Sequence, residues 1–136
     1  MAAVAALEKA LADSNPRVRS LSAVALWSMG PKAVAAVPAL ITALNDPIAY
    51  VRAPAADALG NIGPSAKAAV QPLGERLLAT DEQAYVLRSV ASALGSIGPD
   101  AAAALPALQE ALKMHRVTYT AHEAILKIKK EPVPMW

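Results

Sequence analysis

Ala58-Leu59-Gly60-Asn61-Ile62-Gly63-Pro64 is the central copy of a seven-residue segment that occurs three times in the chain. The other copies are ALWSMGP at 25–31 and ALGSIGP at 93–99, so that successive Gly-Pro dipeptides lie 33 and 35 residues apart. A degenerate fourth copy has Lys129-Lys130 where Gly-Pro would stand. Self-similarity at this period is typical of repeat proteins, in which each unit packs only on its neighbours. The repeat is therefore the structural unit of this chain.

Apolar residues within each repeat follow a helical spacing. In the first repeat Val18, Leu21, Ala25, Leu26 and Met29 form a single stripe on a helix of 3.6 residues per turn. Glycine in a left-handed conformation closes a helix, and proline fits the first turn of the next helix. No β pattern competes, so we predict an all-α fold, an α-solenoid of stacked antiparallel helix pairs. The pattern indicates eight helices, at about 2–12, 17–29, 32–44, 49–62, 65–79, 83–97, 100–114 and 116–130.

Turn and capping residues separate the units. Asp13-Ser14-Asn15-Pro16 and Asn45-Asp46-Pro47 have the composition of turns and helix N-caps. Pro54 falls inside the fourth helix, where it should either kink the helix or mark its true start. We expect one repeat domain over residues 1–130 and an extended tail at 131–136, which contains two prolines.

The composition excludes several classes of protein. The chain has 136 residues, 55% of them hydrophobic, a net charge of +2 and no cysteine. Disulfides and thiolate metal sites are therefore excluded, and the absence of cysteine suits a reducing, cytoplasmic location. The longest apolar stretch, 33–44, is too short to cross a bilayer and contains Pro38. Glu8 and Lys9 interrupt the N-terminal apolar run, so we expect neither a signal peptide nor a membrane anchor.

The recurring residues resemble a known family, the HEAT-like repeats of the phycobilisome-lyase type. The pattern of that family is Asp, Pro, Val-Arg, Ala-Leu-Gly, a branched residue and Gly-Pro. This sequence follows a similar pattern from Ala2 to about Lys130, although Leu87 replaces the arginine in the third repeat. The matching residues are Asp13, Pro16, Val18-Arg19, Ala25-Leu26 and Gly30-Pro31, then Asp46, Val51-Arg52, Ala58-Leu59-Gly60 and Gly63-Pro64, then Asp81, Val86, Ala93-Leu94-Gly95 and Gly98-Pro99.

This resemblance implies an architecture more than an activity. It implies that the first helix of each pair lies on the convex side and that the second lines a concave face. It also implies that Asp13, Asp46 and Asp81 bind turn amides and the arginine of the repeat. Members of the family range from pigment-lyase subunits to DNA-repair glycosylases and a di-iron hydroxylase, so the family by itself does not specify the chemistry.

The chain lacks the residues that catalysis would need. The di-iron relatives use several His-Glu pairs, whereas this chain has His122-Glu123 and one other histidine, His115. Seven helical residues separate the two histidines by about 10 Å, too far for one metal bound at about 2 Å. The carboxylates are scattered, and no glycine-rich phosphate loop is present. We predict no enzyme activity, no metal and no cofactor.

Two groups of residues are candidates for binding a partner. The position before the conserved valine carries Arg17, Tyr50, Tyr85 and Arg116, which a solenoid would stack into a strip. Such a strip suits an acidic or aromatic group, although the same side chains could simply cover the first helical turn. The second helices present mostly small residues beside their leucine pairs, with Arg76 as an exception and one polar row of Lys9, Thr42, Glu75 and Glu110. Such a surface suits an extended peptide or a helix, although alanine is also simply the best helix former. Trp27 stands where Gly60 and Gly95 occur.

We therefore predict a non-catalytic protein–protein interaction module, with a homodimer through the end surfaces or concave faces as one form. The alternatives are an accessory subunit of a lyase-type enzyme complex and a nucleic-acid-binding protein. Nucleic acid is the less favoured partner, because the basic residues collect at one end instead of lining a groove. Those residues are Lys113, Arg116, Lys127, Lys129 and Lys130.

Overall fold

The computed structural model describes residues 2–132, and this part of the chain contains helices and no strand. The all-α prediction is confirmed. The α-helices are α1 Ala2–Ala10, α2 Pro16–Met29, α3 Val37–Ala43, α4 Ala49–Ile62, α5 Val70–Leu77, α6 Ala84–Ile97, α7 Leu105–Lys113 and α8 Thr118–Lys129. Three 3₁₀ helices join them in pairs: Gly30–Ala36, Gly63–Ala69 and Gly98–Ala104.

The helices are less separate than the sequence predicts. Each 3₁₀ helix follows one α-helix and leads straight into the next, so helical structure continues over 16–43, 49–77 and 84–113. Together with α1 and α8, these make five helical runs in residues 2–132 instead of about eight separate helices. The Gly-Pro dipeptide ends one α-helix and begins a 3₁₀ helix at once, and each second helix becomes α-helical only at Val37, Val70 or Leu105.

The glycine of each Gly-Pro dipeptide ends the preceding α-helix. Gly63 has a φ of 83° and a ψ of −145°, and its N–H caps the Leu59 carbonyl. Gly30 and Gly98 have the same kind of geometry. The expected positive φ is confirmed, but ψ lies far from the left-handed helical value. This region of backbone conformation is open essentially to glycine alone, which explains why the dipeptide recurs.

The proline inside α4 has a partner helix that compensates for it. The helix begins at Ala49, upstream of Pro54, so Pro54 does not mark its start. Proline lacks an N–H, so the carbonyl of residue 50, four positions earlier, loses its helical donor. The hydroxyl of Ser20 on α2 donates to that Tyr50 carbonyl at 2.9 Å. A neighbouring helix therefore satisfies the backbone group that Pro54 leaves open.

The helices form two layers around one core. The first-helix layer contains α2, α4, α6 and α8, each packed on the next. The second-helix layer contains α1 and the three 3₁₀ helices with α3, α5 and α7. The paired leucines of the second helices and the leucine of each Ala-Leu segment meet between the layers. Those that are fully buried include Leu26, Leu40, Leu44, Leu59, Leu73, Leu77, Leu94 and Leu108.

Glycine sets the close contact between first helices. A Cβ atom added to Gly60 would lie 2.9 Å from the Ala93 Cα, and one added to Gly95 would lie 3.0 Å from the Ala124 Cα. Side chains other than hydrogen do not fit at such distances, so α4 packs on α6, and α6 on α8, almost backbone to backbone. Gly74 on α5 differs, because its added Cβ would meet only ordinary contacts at 3.8 and 3.9 Å.

One helical run among residues 2–132, Pro16–Ala43, is long and apolar enough to cross a membrane, by length and composition alone. Its first part, α2, has 14 residues, or about 21 Å, and a bilayer core is about 30 Å thick. The positive-φ turn at Gly30 then interrupts it. The run consists of two helices joined at a turn and is weak evidence for a membrane span.

The last repeat departs most from the sequence-based boundaries. His115 and Val117 have φ values of 54° and 44°, so α8 starts at Thr118 instead of residue 116. Lys130 has left-handed φ and ψ, and the Glu131 N–H donates to the Leu126 carbonyl at 2.8 Å. This is a Schellman-type end with lysine in the usual glycine position. Most of the predicted tail, including Met135-Trp136, lies outside the described residues.

Substituting two glycines tests how the first helices are spaced. Alanine is the better helix former by about 1 kcal/mol, so Gly74→Ala should raise the free energy of unfolding by up to about that amount. Gly60→Ala should lower it by about 1–3 kcal/mol, because the new methyl group overlaps Ala93. Urea denaturation measures both. Equal effects at the two positions would show that Gly60 does not set the helix spacing.

Candidate functional site

Arginine–carboxylate pairs connect successive inter-repeat turns. Arg19 Nε lies 2.7 Å from Asp46 Oδ2, and Arg19 Nη2 lies 3.1 Å from Asp46 Oδ1. A third nitrogen, Nη1, donates to the Asp13 carbonyl at 2.8 Å. One guanidinium therefore joins its own turn to the next, and the two-pronged geometry is the strong form of this interaction.

The next pair along the chain has the same geometry. Arg52 donates from Nε and Nη2 to the Glu82 carboxylate at 2.8 and 2.7 Å, and from Nη1 to the Asp46 carbonyl at 2.6 Å. The Glu82 side chain is completely buried and also lies 3.3 Å from Arg76 Nη1. Two guanidinium groups thus share one buried carboxylate.

The aspartates have different roles from those that the resemblance implies. Asp46 binds the Ile48 N–H, a turn amide, as expected, but its arginine is Arg19 of the preceding repeat instead of Arg52 of its own. Asp81 was expected to do the same in the next unit, but Glu82 binds Arg52 and the Gln83 N–H in its place. Asp13 accepts from the Asn15 N–H. The inter-repeat turn is longer in the third repeat, which moves the carboxylate by one residue.

Both paired carboxylates are held in the ionised form. Burial raises the pKa of Asp46, but hydrogen bonds from Arg19 and the Ile48 N–H outweigh it, so the pKa lies below its ordinary value. Burial also raises the pKa of Glu82, and hydrogen bonds from Arg52 and the Gln83 N–H again bring it below the ordinary value. The pairs are therefore structural connections between turns.

Two of the predicted partner-binding arginines are engaged in these turns. Arg76 contacts Glu82, and its Nε atom is buried without a hydrogen-bond partner. Arg116 donates from Nη1 to the Ala79 carbonyl at 2.8 Å. It thereby supplies a guanidinium to the turn whose own repeat has Leu87 in place of arginine. Both side chains reach inward toward the turns and are only partly exposed.

The first two members of the predicted strip, Arg17 and Tyr50, lie at the same cavity. The cavity has a volume of about 360 Å³ and is also lined by Ser20 and Leu21. Tyr85 is exposed one repeat further along and lies outside that cavity. Leu21 is 68% exposed and Val24 is 38% exposed on the same helix. We call this group of Arg17, Leu21, Val24 and Tyr50 the α2 face.

Trp27 lies at a second surface of the first-helix layer. Its side chain is 45% exposed, and its carbonyl accepts from Asn61 Nδ2 at 2.6 Å. It lines a cavity of about 210 Å³ together with Asp57, Gly60, Asn61, Ser92, Ala93 and Ser96. We call this cavity the Trp27 groove. Burial raises the pKa of Asp57, and a hydrogen bond from Ser89 opposes that effect.

A third concavity lies on the second-helix layer. It has a volume of about 400 Å³ and lies between α5 and α7, with Val70, Gly74, Leu78 and Ala107 in its lining. Gln71 and Glu75 add polar groups to this otherwise apolar lining. Among residues 2–132 no group of three or more His, Asp or Glu side chains is arranged to hold a metal ion.

The sequence analysis missed Asp57, Leu21 and Val24. The sequence does contain a signal for Asp57. When the repeats are aligned, Asp57 occupies the position of Val24 and Ser92, just before each Ala-Leu segment, so a carboxylate stands where the other repeats have a neutral residue. Leu21 was assigned to the apolar core stripe. The spacing of apolar residues does not indicate which side of a helix has a neighbour. Among residues 2–132 no first helix precedes α2, so one side of α2 is not covered by such a helix.

Substitution of Glu82 tests the buried pair. Glu82→Gln should lower the free energy of unfolding by about 3–5 kcal/mol, because it leaves Arg52 buried without its counter-charge. The exposed neighbour Asp81 provides a matched control. Asp81→Asn should change the free energy of unfolding by less than about 0.5 kcal/mol. Urea denaturation distinguishes them, and a larger effect at Asp81 would contradict the assignment of Glu82.

The same pair predicts the direction of acid unfolding. Because the pKa of Glu82 is lowered in the folded state, the unfolded chain binds more protons in acid. The stability from the pair should be complete above about pH 5 and fall as the pH drops below the ordinary carboxylate pKa of about 4.3. The free energy of unfolding of Glu82→Gln should fall less steeply over pH 5 to 2.5. An identical pH profile would contradict this role.

Comparison with known proteins agrees with this architecture. The family model for HEAT repeats matches residues 4–83 and again residues 37–129. The solved complex of CpcE and CpcF of phycocyanin lyase from Nostoc sp. PCC7120 contains a chain with 31% sequence identity and a TM-score of 0.77. The match covers 96% of this chain and 54% of that chain. No significant match is found among proteins with curated functions.

An engineered protein of known crystal structure is also similar, with 28% identity and a TM-score of 0.75. That match covers 93% of this chain and 62% of the engineered chain. The present chain therefore spans less than two thirds of the length of either similar structure. With family matches that run from residue 4 to residue 129 and helix pairs stacked in two layers, this chain belongs to the HEAT-repeat family, and it is similar to a HEAT-like chain of the phycocyanin lyase complex.

Proposed function

We propose that this chain is a non-catalytic protein–protein interaction module that binds through the α2 face. The observation that carries the proposal is the exposure of Leu21 and Val24 beside the cavity between Arg17 and Tyr50. Each large apolar side chain left in water forgoes roughly 1.5–3 kcal/mol of burial. Covering these two side chains gives a partner an apolar anchor, with the Arg17 guanidinium and the Tyr50 ring at its edge.

The position of α2 in its layer supports the same proposal. Each later first helix is covered by the one before it, as α4 is by α2. In residues 2–132 no first helix covers α2 on the corresponding side. A helix from another protein that packs there would continue the stacking already used within the chain. Tyr85, one repeat away, would extend the contact if the partner is long enough.

A second copy of the chain is one such partner. In a two-fold symmetric dimer each α2 would cover the other, and the same patch would serve both subunits. We include this homodimer in the proposal. We also propose a cytoplasmic location, which microscopy of the tagged protein in its host would test.

The alternative of an accessory subunit in a lyase-type complex is supported by the similarity to the CpcE and CpcF complex. If this alternative holds, the chain should form a stable complex with a second HEAT-like subunit, measured by size-exclusion chromatography. A nucleic-acid role has less support, because Arg116 is bound to the Ala79 carbonyl and Lys127 is paired with Glu123. Retention on oligonucleotides that falls steeply with salt would support it.

Sedimentation of two leucine variants tests the α2 face. We expect the wild type to sediment above the monomer mass of 14.0 kDa at micromolar concentration and to approach it over a hundredfold dilution. Leu21→Glu should sediment as a monomer throughout, because it removes the apolar anchor and adds a charge that is costly to desolvate in the interface. Leu78→Glu, at an exposed leucine of the second-helix layer, is the matched control and should behave as the wild type.

The possible outcomes separate the surfaces. If Leu78→Glu alone prevents association, the interface lies on the second-helix layer and the proposal for α2 is wrong. A wild type that stays at monomer mass at every concentration would contradict the homodimer.

A further inference from the structure

The Trp27 groove is a small polar cavity on the surface of the first-helix layer. Trp27 on α2 lines it from one side, and Ser92 and Ser96 on α6 line it from the other. Asp57, Gly60 and Asn61 on α4 lie between them. Because Gly60 has no side chain, α4 and α6 approach closely beneath this surface. Its volume of about 210 Å³ is below the 300–1,000 Å³ of typical small-molecule sites, so the groove suits one side chain.

The Asp57 carboxylate has no counter-charge within this part of the chain. Arginine or lysine pairs with Asp46, Glu82 and Glu123 in residues 2–132, but no cation lies within 4.0 Å of Asp57. Its hydrogen bond comes from Ser89, a neutral group. Burial raises the pKa of Asp57, so the folded chain disfavours the charge that it carries at neutral pH. Such a carboxylate in a cavity is a candidate for binding.

The other lining groups can accept hydrogen bonds or contact a cation. Asn61 donates through Nδ2 to the Trp27 carbonyl, which leaves its amide oxygen to accept a hydrogen bond. The hydroxyl groups of Ser92 and Ser96 are also acceptors. The half-exposed indole of Trp27 provides the aromatic face that cations prefer. Carboxylate, aromatic ring and neutral acceptors thus line the same cavity.

We propose that the Trp27 groove binds the guanidinium group of an arginine side chain from a partner protein. A guanidinium stacks on an indole and donates to a carboxylate with two parallel hydrogen bonds, whereas a lysine ammonium does neither equally well. Its remaining N–H groups suit the amide oxygen of Asn61 and the serine hydroxyls. The inference rests on the proposed protein-binding function for the source of the arginine. It uses residues outside the α2 face, so the two can fail separately.

Nuclear magnetic resonance with a short peptide tests the groove without the partner. The probe is acetyl-Gly-Arg-Gly-amide, and the neutral comparison is the same peptide with citrulline, which keeps the shape but lacks the charge. We expect the arginine peptide to bind with a millimolar dissociation constant. It should shift the Trp27 indole signal and the amide signals of Gly60, Asn61, Ser92 and Ser96, with the indole assigned through Trp27→Phe. The citrulline and lysine peptides should bind at least several times more weakly.

Asp57→Asn separates binding from folding. It keeps the shape and an acceptor for Ser89, so the variant should be at least as stable as the wild type while it binds the arginine peptide about tenfold more weakly. The matched control is Asp100→Asn, at an exposed aspartate of the 98–104 segment, which should bind as the wild type does.

The proposal would be overturned by equal binding of the arginine and citrulline peptides, by equal binding of the lysine peptide, or by equal weakening through the two aspartate substitutions. Loss of binding in a destabilised Asp57→Asn variant would make Asp57 structural and would also overturn it. Failure of this experiment leaves the sedimentation result for Leu21→Glu unaffected, and monomeric sedimentation leaves the peptide result unaffected.

Discussion

The close contact between consecutive first helices is the constraint on which the rest of the structure depends. At Gly60 and Gly95 a single added carbon would lie within about 3 Å of the next helix, so the spacing of α4, α6 and α8 is fixed by the absence of a side chain. The second helices then follow the same spacing, because each is joined to its first helix by a short 3₁₀ helix. Arg19 and Arg52 connect the turns at that spacing, with guanidinium groups that reach only the next carboxylate.

The first repeat uses the same position differently, and this difference creates a surface. Where the later repeats have glycine, α2 has Trp27, whose indole is half exposed beside α4 instead of being packed between helices. The carboxylate of Asp57 and the close approach at Gly60 complete the groove that the indole borders. Leu21 and Val24, on the same helix, remain exposed because α2 is the first of its layer in the described chain. Trp27, Leu21 and Val24 therefore place three exposed apolar side chains on one helix of the described chain.

The repeat pattern predicted the fold well, because Gly-Pro, the paired leucines and the capping residue Asn15 act locally. Asn15 does cap α2, with its side chain accepting from the Arg17 N–H. Other contacts depend on distances between repeats that no pattern contains. The exchange of Asp81 for Glu82, the inward reach of Arg76 and Arg116, and the bond from Ser20 that compensates for Pro54 are of this kind. Tyr85 was aligned correctly with Tyr50, yet it does not share the cavity of Arg17 and Tyr50.

The claim that ties these observations together is that the Trp27 groove holds a negative charge whose partner lies in another molecule. The pKa of Asp57, followed by the carbon chemical shift of its carboxyl group, measures that charge. In the free protein the pKa should lie above the ordinary aspartate value, because burial disfavours the ionised form. Saturation with the arginine peptide should lower it, because the cation binds the ionised form. An ordinary pKa in the free protein, or one that the peptide leaves unchanged, would contradict the account.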